Sequence, residues 1–168
     1  MSTDYRAERT ENIRALNELI KGIKVAMLTS VDTDGKLHSQ PVLTQQADFD
    51  GDLWFFIHAG LLEGHEPEQQ VNVTYAAPER NLHISMSGTA HRVQDVEKIE
   101  ERWQSEFKDW FPKGLDDPEL ALLQVVVEHS EYWQLDSGGV AGVFQSIRDI
   151  ATRQKRESKE TKKLDLNP

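Results

Sequence analysis

The chain has 168 residues and a net charge of −10, long enough for one domain that buries roughly 70% of its unfolded surface. It contains no cysteine, which excludes a disulfide framework, a thiolate nucleophile and a cysteine-based metal site. An acidic body repels phosphates, so nucleic acid is not an expected partner.

The longest apolar runs, Leu53–Ile57 and Leu120–Val127, fall well short of the ~20 residues that span a bilayer. The opening MSTDYRAERTEN has no apolar centre of the signal-peptide kind. These features predict a soluble cytoplasmic protein with no membrane partner.

In chain order, residues 5–23 show helical spacing through Ile13, Leu16, Leu19, Ile20 and Ile23. Lys24–Val31 reads as a strand and Asp32-Thr33-Asp34-Gly35 as a tight turn. Two strands are expected between Lys36 and Gly60, joined as a hairpin at Asp50-Gly51, because glycine takes φ > 0 without a Cβ clash. The first carries His38, Ser39, Gln40 and Pro41, groups suited to a ligand. The second, Leu53-Trp54-Phe55-Phe56-Ile57, reads as scaffold.

Residues 58–70 are ambiguous, since Gly60, Gly64 and Pro67 interrupt any helix. Val71–Ala76 and Asn81–Val93 alternate as strands do, and Gly88 within the latter predicts a bulge or a close backbone approach. Helical spacing returns from Gln94 to Phe111 and is closed by Pro112, Gly114 and Pro118. A long strand is expected over Leu120–Leu135, then a helix through Val140, Val143, Phe144, Ile147 and Ile150.

The expected units are a domain over 1–152 and a basic, solvated, disordered tail over 153–168. In that tail Arg153, Lys155, Arg156, Lys159, Lys162 and Lys163 outnumber Glu157, Glu160 and Asp165. The fold class is mainly β with peripheral α: an antiparallel barrel with helical decoration, or, competing with it, an open α+β sheet.

Several residues invite a site. His83 and His91 share a strand face but stand roughly 27 Å apart in an ideal strand, too far for one metal. No HExxH or other compact ligand cluster occurs, so no metal is expected. Trp54 and Trp103 sit in apolar periodic patterns and read as core. Trp110 adjoins Phe111-Pro112-Lys113-Gly114, where a helix ends, and is the best candidate for a ligand-facing or dimer-facing aromatic. No GxSxG, thiol or interpretable carboxylate pair marks a catalytic residue.

The segments MLTSVDTDGKLHSQPV (27–42), DFDGDLWFF (48–56), VNVTYAAP (71–78), ISMSGTA (84–90), WFPKG (110–114) and EYW (131–133) resemble, in their order, the pyridoxamine 5′-phosphate oxidase-like, FMN-binding split-barrel superfamily, and within it the general stress protein 26 branch. The resemblance implies a six-stranded antiparallel split barrel with N-terminal, inserted and C-terminal helices. It also implies a homodimer with flavin, FMN or else FAD, at the subunit interface.

On this chain the cofactor-binding positions would be His38, Ser39, Gln40, Pro41 and Val42 beside the ring. Phe55, Phe56, Ile57 and His58 would lie toward the phosphate, with Trp110 and Lys113 nearby. Family members commonly carry arginine where this chain has His38 and Gln40, Ser/Thr at Ile57 and His58, and a lysine in the loop that follows. Here that loop, AGLLEGHEPEQQ, contains glutamates and no lysine or arginine, and between Lys36 and Lys98 the fixed cations are Arg80 and Arg92. His38, His58 and Lys113 are the available substitutes.

Two functions follow from the resemblance. One is a dimeric flavin-binding general stress protein acting as an oxidoreductase. The other is a non-enzymatic split barrel that stores or senses a flavin-like ligand, or has lost it. Pyridoxamine 5′-phosphate oxidation itself would need a second set of basic phosphate-binding residues, which the sequence does not supply.

Overall fold

A computed structural model describes residues 2–45, 49–62, 68–134 and 161–165. Helix α1 (Ser2–Ile20) leads into strands β1 (Val25–Val31), β2 (Leu37–Leu43), β3 (Asp52–His58), β4 (Glu68–Ala77) and β5 (Leu82–Val93). Helix α2 (Val96–Arg102), short 3-10 turns, β6 (Leu120–Gln134) and β7 (Thr161–Asp165) complete the described elements. The expected helix over 140–151 lies outside the described residues.

The strands hydrogen-bond in the order β2-β1-β4-β5-β6-β3, every pairing antiparallel. The path's two ends, β2 and β3, come into contact without pairing, so the sheet curls on itself and leaves a seam. This is the split-barrel arrangement of a mainly β fold, with helices outside it. A hairpin at Asp50-Gly51 is therefore not what forms. The tight connections are β1–β2, through Asp32–Lys36, and β4–β5, through Pro78–Asn81. Gly51 instead packs beneath Arg9 and Ile13 of α1, and Asn17 Oδ1 accepts from the Phe49 N–H at 2.8 Å. Local Asp-Gly chemistry produced a turn, and α1 set the direction in which the chain left it.

One face of β3 explains its unbroken apolar run. Leu53, Phe55 and Ile57 enter the main core with Leu16, Leu28, Val73, Ile84, Met86, Leu123 and Val125. Phe56 turns the other way, into a second cluster with Phe107, Phe111 and Leu122. A strand covered on both faces has no need to alternate.

The cover over that second face is not one long helix. Asp95 caps α2, its carboxylate accepting from the N–H groups of Glu97 and Lys98, but Trp103 adopts extended backbone (φ −68°, ψ 131°) and ends it. A 3-10 turn over Ser105–Asp109 follows. The break lets both Trp103 and Phe107 reach Phe56, at ring-centroid distances of 5.3 and 5.1 Å. Each such aromatic pair adds about 1 kcal/mol beyond area burial, more than the helix propensity lost at one position.

β5 and β6 pair along nearly their whole length, with the register shifting between Ser87 and Gly88. A Cβ built on Gly88 would lie 2.0 Å from the Val126 carbonyl oxygen, so the expected close approach is real and the bulge depends on it. β6 gives its first half to β3 and its second half, His129–Trp133, to β7. Residues 161–165 thus add a short seventh strand within the segment that composition describes as a solvated tail.

Two outcomes test these assignments. Gly88→Ala should cost about 3 kcal/mol, read as a lower urea midpoint, because backbone rather than a flexible side chain occupies the space. Burial pushes the Tyr75 phenol well above its ordinary value. The unfolded chain then releases that proton first, so the contribution is intact below about pH 10 and is lost as pH rises beyond it. Tyr75→Phe should flatten this alkaline loss in denaturation midpoints compared at neutral and alkaline pH, whereas equal slopes would refute the assignment.

Candidate functional site

Among the described residues β2 is an edge strand, paired with β1 alone, and its residues divide between two faces. Ser39 and Pro41 point outward with Leu37. Val42 is 2% exposed and belongs to the core, and Gln40 is half-buried. His38 is exposed at the start of the strand. The five consecutive positions read from sequence as one ligand-facing group are therefore not one surface.

On β3, the side chains of Phe55, Phe56 and Ile57 are all core, which leaves only their backbone for a ligand. His58, at the strand's end, is exposed, and its ring lies 4.9 Å from that of Phe111. That contact holds the 110–113 turn against the end of β3. The 41%-exposed Trp110 precedes Phe111 in that turn, and the exposed Lys113 follows it by two residues.

The outward face of β2, β1, β4 and β5 has an unusual composition for a chain this acidic. Leu37, Ser39 and Pro41 stand opposite Val31, Thr29 and Met27, and the sheet continues through Asn72 and Thr74 to Ser87 and Ser85. None of these ten side chains is charged. Val25, Met27 and Val31 are 40–43% exposed and Leu37 is 77% exposed.

The hydroxyls and amides among them bond to one another. Thr29 and Ser39 share a hydrogen bond of 2.7 Å, and Asn72 Nδ2 donates to Ser85 Oγ at 2.8 Å. A polar network that satisfies itself needs less water and is cheaper to cover. The signal was present in the sequence: the polar members of VNVTYA and HISMSGT are Asn, Thr, Ser and His, with no lysine or glutamate.

A cavity of about 300 Å³ opens elsewhere, between the end of α1, residues Thr44, Gln45, Phe49 and Asp50, β3 and Arg102 of α2. Trp54, Arg102, Gln45 and Tyr75 are among its walls. Arg102 lies over the Trp54 ring, 3.8 Å from its centroid, and its Nη1 donates to Gln45 Oε1 at 3.4 Å. Sequence reading missed this group, since Arg102 looks like any helix-terminal charge and Gln45 like any loop residue.

No helix among the described residues is long and apolar enough to cross a membrane. The family described as pyridoxamine 5′-phosphate oxidase like matches residues 11–157. No curated protein matches the chain.

Among solved structures, the general stress FMN/FAD binding protein of Xanthomonas citri is 25% identical, with a TM-score of 0.64 over 79% of this chain and 95% of that one. A protein related to general stress protein 26 from Clostridium acetobutylicum is 17% identical, with a TM-score of 0.65 over 74% and 89% of the two chains. General stress protein 26 of Bacillus anthracis is 21% identical, with a TM-score of 0.56 over 74% and 97%. The family match spans most of the chain, and the curled six-strand sheet agrees with it: this protein belongs to the pyridoxamine 5′-phosphate oxidase-like split-barrel family, with its structural relatives in the general stress protein 26 branch.

Proposed function

We propose that the protein is a homodimeric flavin-binding protein, with FMN or FAD held where the uncharged sheet face of one copy meets the other. The observation that carries the reading is that face: ten neighbouring side chains without charge, with Met27, Val31 and Leu37 among them and the adjoining Val25 exposed, on a chain of net charge −10. Burying it in a second copy would remove apolar surface from water and strand no charge. The Xanthomonas relative, described as FMN/FAD binding, supports the choice of ligand.

The ring end of a flavin fits the residues present. β2 offers an open strand edge with Ser39 and Pro41 outward, while Gln40 and Val42 support it from the inner side. The backbone of Phe55, Phe56 and Ile57 leads toward the phosphate end. There His58 packs on Phe111, two residues before Lys113, with Trp110 as an aromatic wall and His38 at the outer end of β2. Lys113 is the one fixed cation in this set. A phosphate carries about 1.5–2 negative charges and needs donors to replace its water, so the histidines must contribute.

A bound flavin supplies the redox chemistry and the protein positions it, which makes an oxidoreductase the matching activity. The second reading is a split barrel that has lost the cofactor. It is favoured by the glutamates that follow β3 in the sequence, Glu63 and Glu66 and then Glu68 at the start of β4, where the family's lysine would be expected.

Reconstitution with excess FMN, desalting and a visible spectrum separate the two readings. The flavin reading expects retained absorbance at about one flavin per chain, with Trp110→Ala and His38→Ala each weakening affinity by about tenfold. A colourless protein with no binding in titration supports loss of the cofactor. Unchanged affinity in both variants places the flavin somewhere other than these residues.

A further inference from the structure

We infer that the cavity between α1, β3 and α2 is a second binding site, one that takes a small monocarboxylate with an apolar body. It shares no residue with the flavin positions proposed above except the core side chain of Phe55, and stands without them. Asp52–Trp54 lie at the opposite end of β3 from His58, about 15–20 Å away along the strand.

The donor and acceptor inventory of the walls points to this ligand. Among the described residues, Gln45 Nε2 is a buried donor with no hydrogen-bond partner. Leaving such an amide unsatisfied costs about 1–3 kcal/mol, a cost a ligand acceptor would relieve. Arg102, beside it, has no carboxylate within ion-pair distance among the described residues; its described partners are the Trp54 ring and Gln45 Oε1. A guanidinium that packs over an indole ring does not use up its N–H donors in that contact, which leaves them for an acceptor. Two neighbouring sources of spare N–H match the two oxygens of a carboxylate.

Several acceptors on the walls are, by contrast, engaged. Asn17 Oδ1 accepts from Phe49 N–H, Asp52 Oδ2 from Gln124 Nε2 at 2.7 Å, and Asp50 Oδ1 from Asp52 N–H. Asp50 and Asp52 also line the cavity, as do Lys21 and Arg102. Tyr75, another wall residue, keeps its proton because burial holds the phenol neutral.

The remainder is apolar. Ile20, Ile23, Phe49, Leu53 and Phe55 line the same space. A volume of about 300 Å³ stands at the small end of ligand pockets and admits an aromatic or branched acid of modest size. An anionic head against Arg102 and Gln45 with a hydrocarbon body against these side chains satisfies both parts of the wall.

Benzoate is the probe, and benzamide its neutral isostere. Titrated calorimetrically into the full-length protein, benzoate should bind one per chain with a dissociation constant of about 1 mM or tighter. Benzamide should bind about tenfold more weakly. In ¹⁵N-resolved NMR the Gln45 side-chain amide and Arg102 Nε–H should move on benzoate addition.

Arg102→Gln and Gln45→Met, each checked for wild-type circular dichroism, should each weaken benzoate by about tenfold. The comparison of the two ligands on the wild-type protein stands even if a variant fails to fold. Absence of saturable benzoate binding overturns the inference. So does equal affinity for benzamide, or benzoate shifts that avoid Gln45 and Arg102.

Discussion

The pairing of β5 with β6 is the constraint on which the rest of the molecule depends. β6 is long enough to serve three neighbours, holding β5 on one edge and β3 and then β7 on the other. Its backbone passes so close to Gly88 that no side chain fits there. The bulge at that point bends and twists the pair, as an extra residue in one strand does. A bent central pair brings β2 and β3, the ends of the sheet, back toward each other. Curling of the sheet encloses an interior on one side and leaves a broad outer face on the other.

These two sides receive opposite chemistry from the same strands. Strand alternation sends Leu28, Val73, Ile84 and Met86 inward and Met27, Thr29, Asn72, Thr74 and Ser85 outward. The outward residues carry no charge and satisfy much of their polarity among themselves, which suits a surface that another chain covers. The β3–β6 region solves its outer face differently, by laying Trp103, Phe107 and Phe111 over Phe56 and Leu122. That aromatic cover also holds the 110–113 turn beside His58. The packing that completes the second core therefore positions the groups assigned to the phosphate end of the ligand.

Much of the strand pattern was legible because it rests on local signals. The alternation of VNVTYA, the turn at Asp32–Gly35 and the glycine inside NLHISMSGTAH each reflect a rule obeyed by neighbouring residues. What sequence did not reveal depends on distant contacts. The Asp50-Gly51 turn looks like a hairpin, yet α1 contacts Gly51 and Phe49 and sends β3 to the far end of the sheet. Residues 94–111 have helical spacing throughout, but Trp103 gains more from meeting Phe56 than from staying helical. The site shows the same division. Ser39 and Trp110 are exposed, whereas Val42, Phe55, Phe56 and Ile57 put their side chains into cores. The cavity walled by Gln45 and Arg102 joins residues 57 positions apart, and no sequence motif connects them.

The account turns on whether the uncharged sheet face is covered by a second copy. Sedimentation velocity on the purified protein over a range of concentrations tests this most directly. With a chain mass of 19.2 kDa, the account predicts a species of twice that mass, and Met27→Glu, which adds a charge at the centre of the face, should shift it toward monomer without loss of secondary structure. A wild-type protein that stays monomeric at every concentration would contradict the account, as would a dimer indifferent to that substitution.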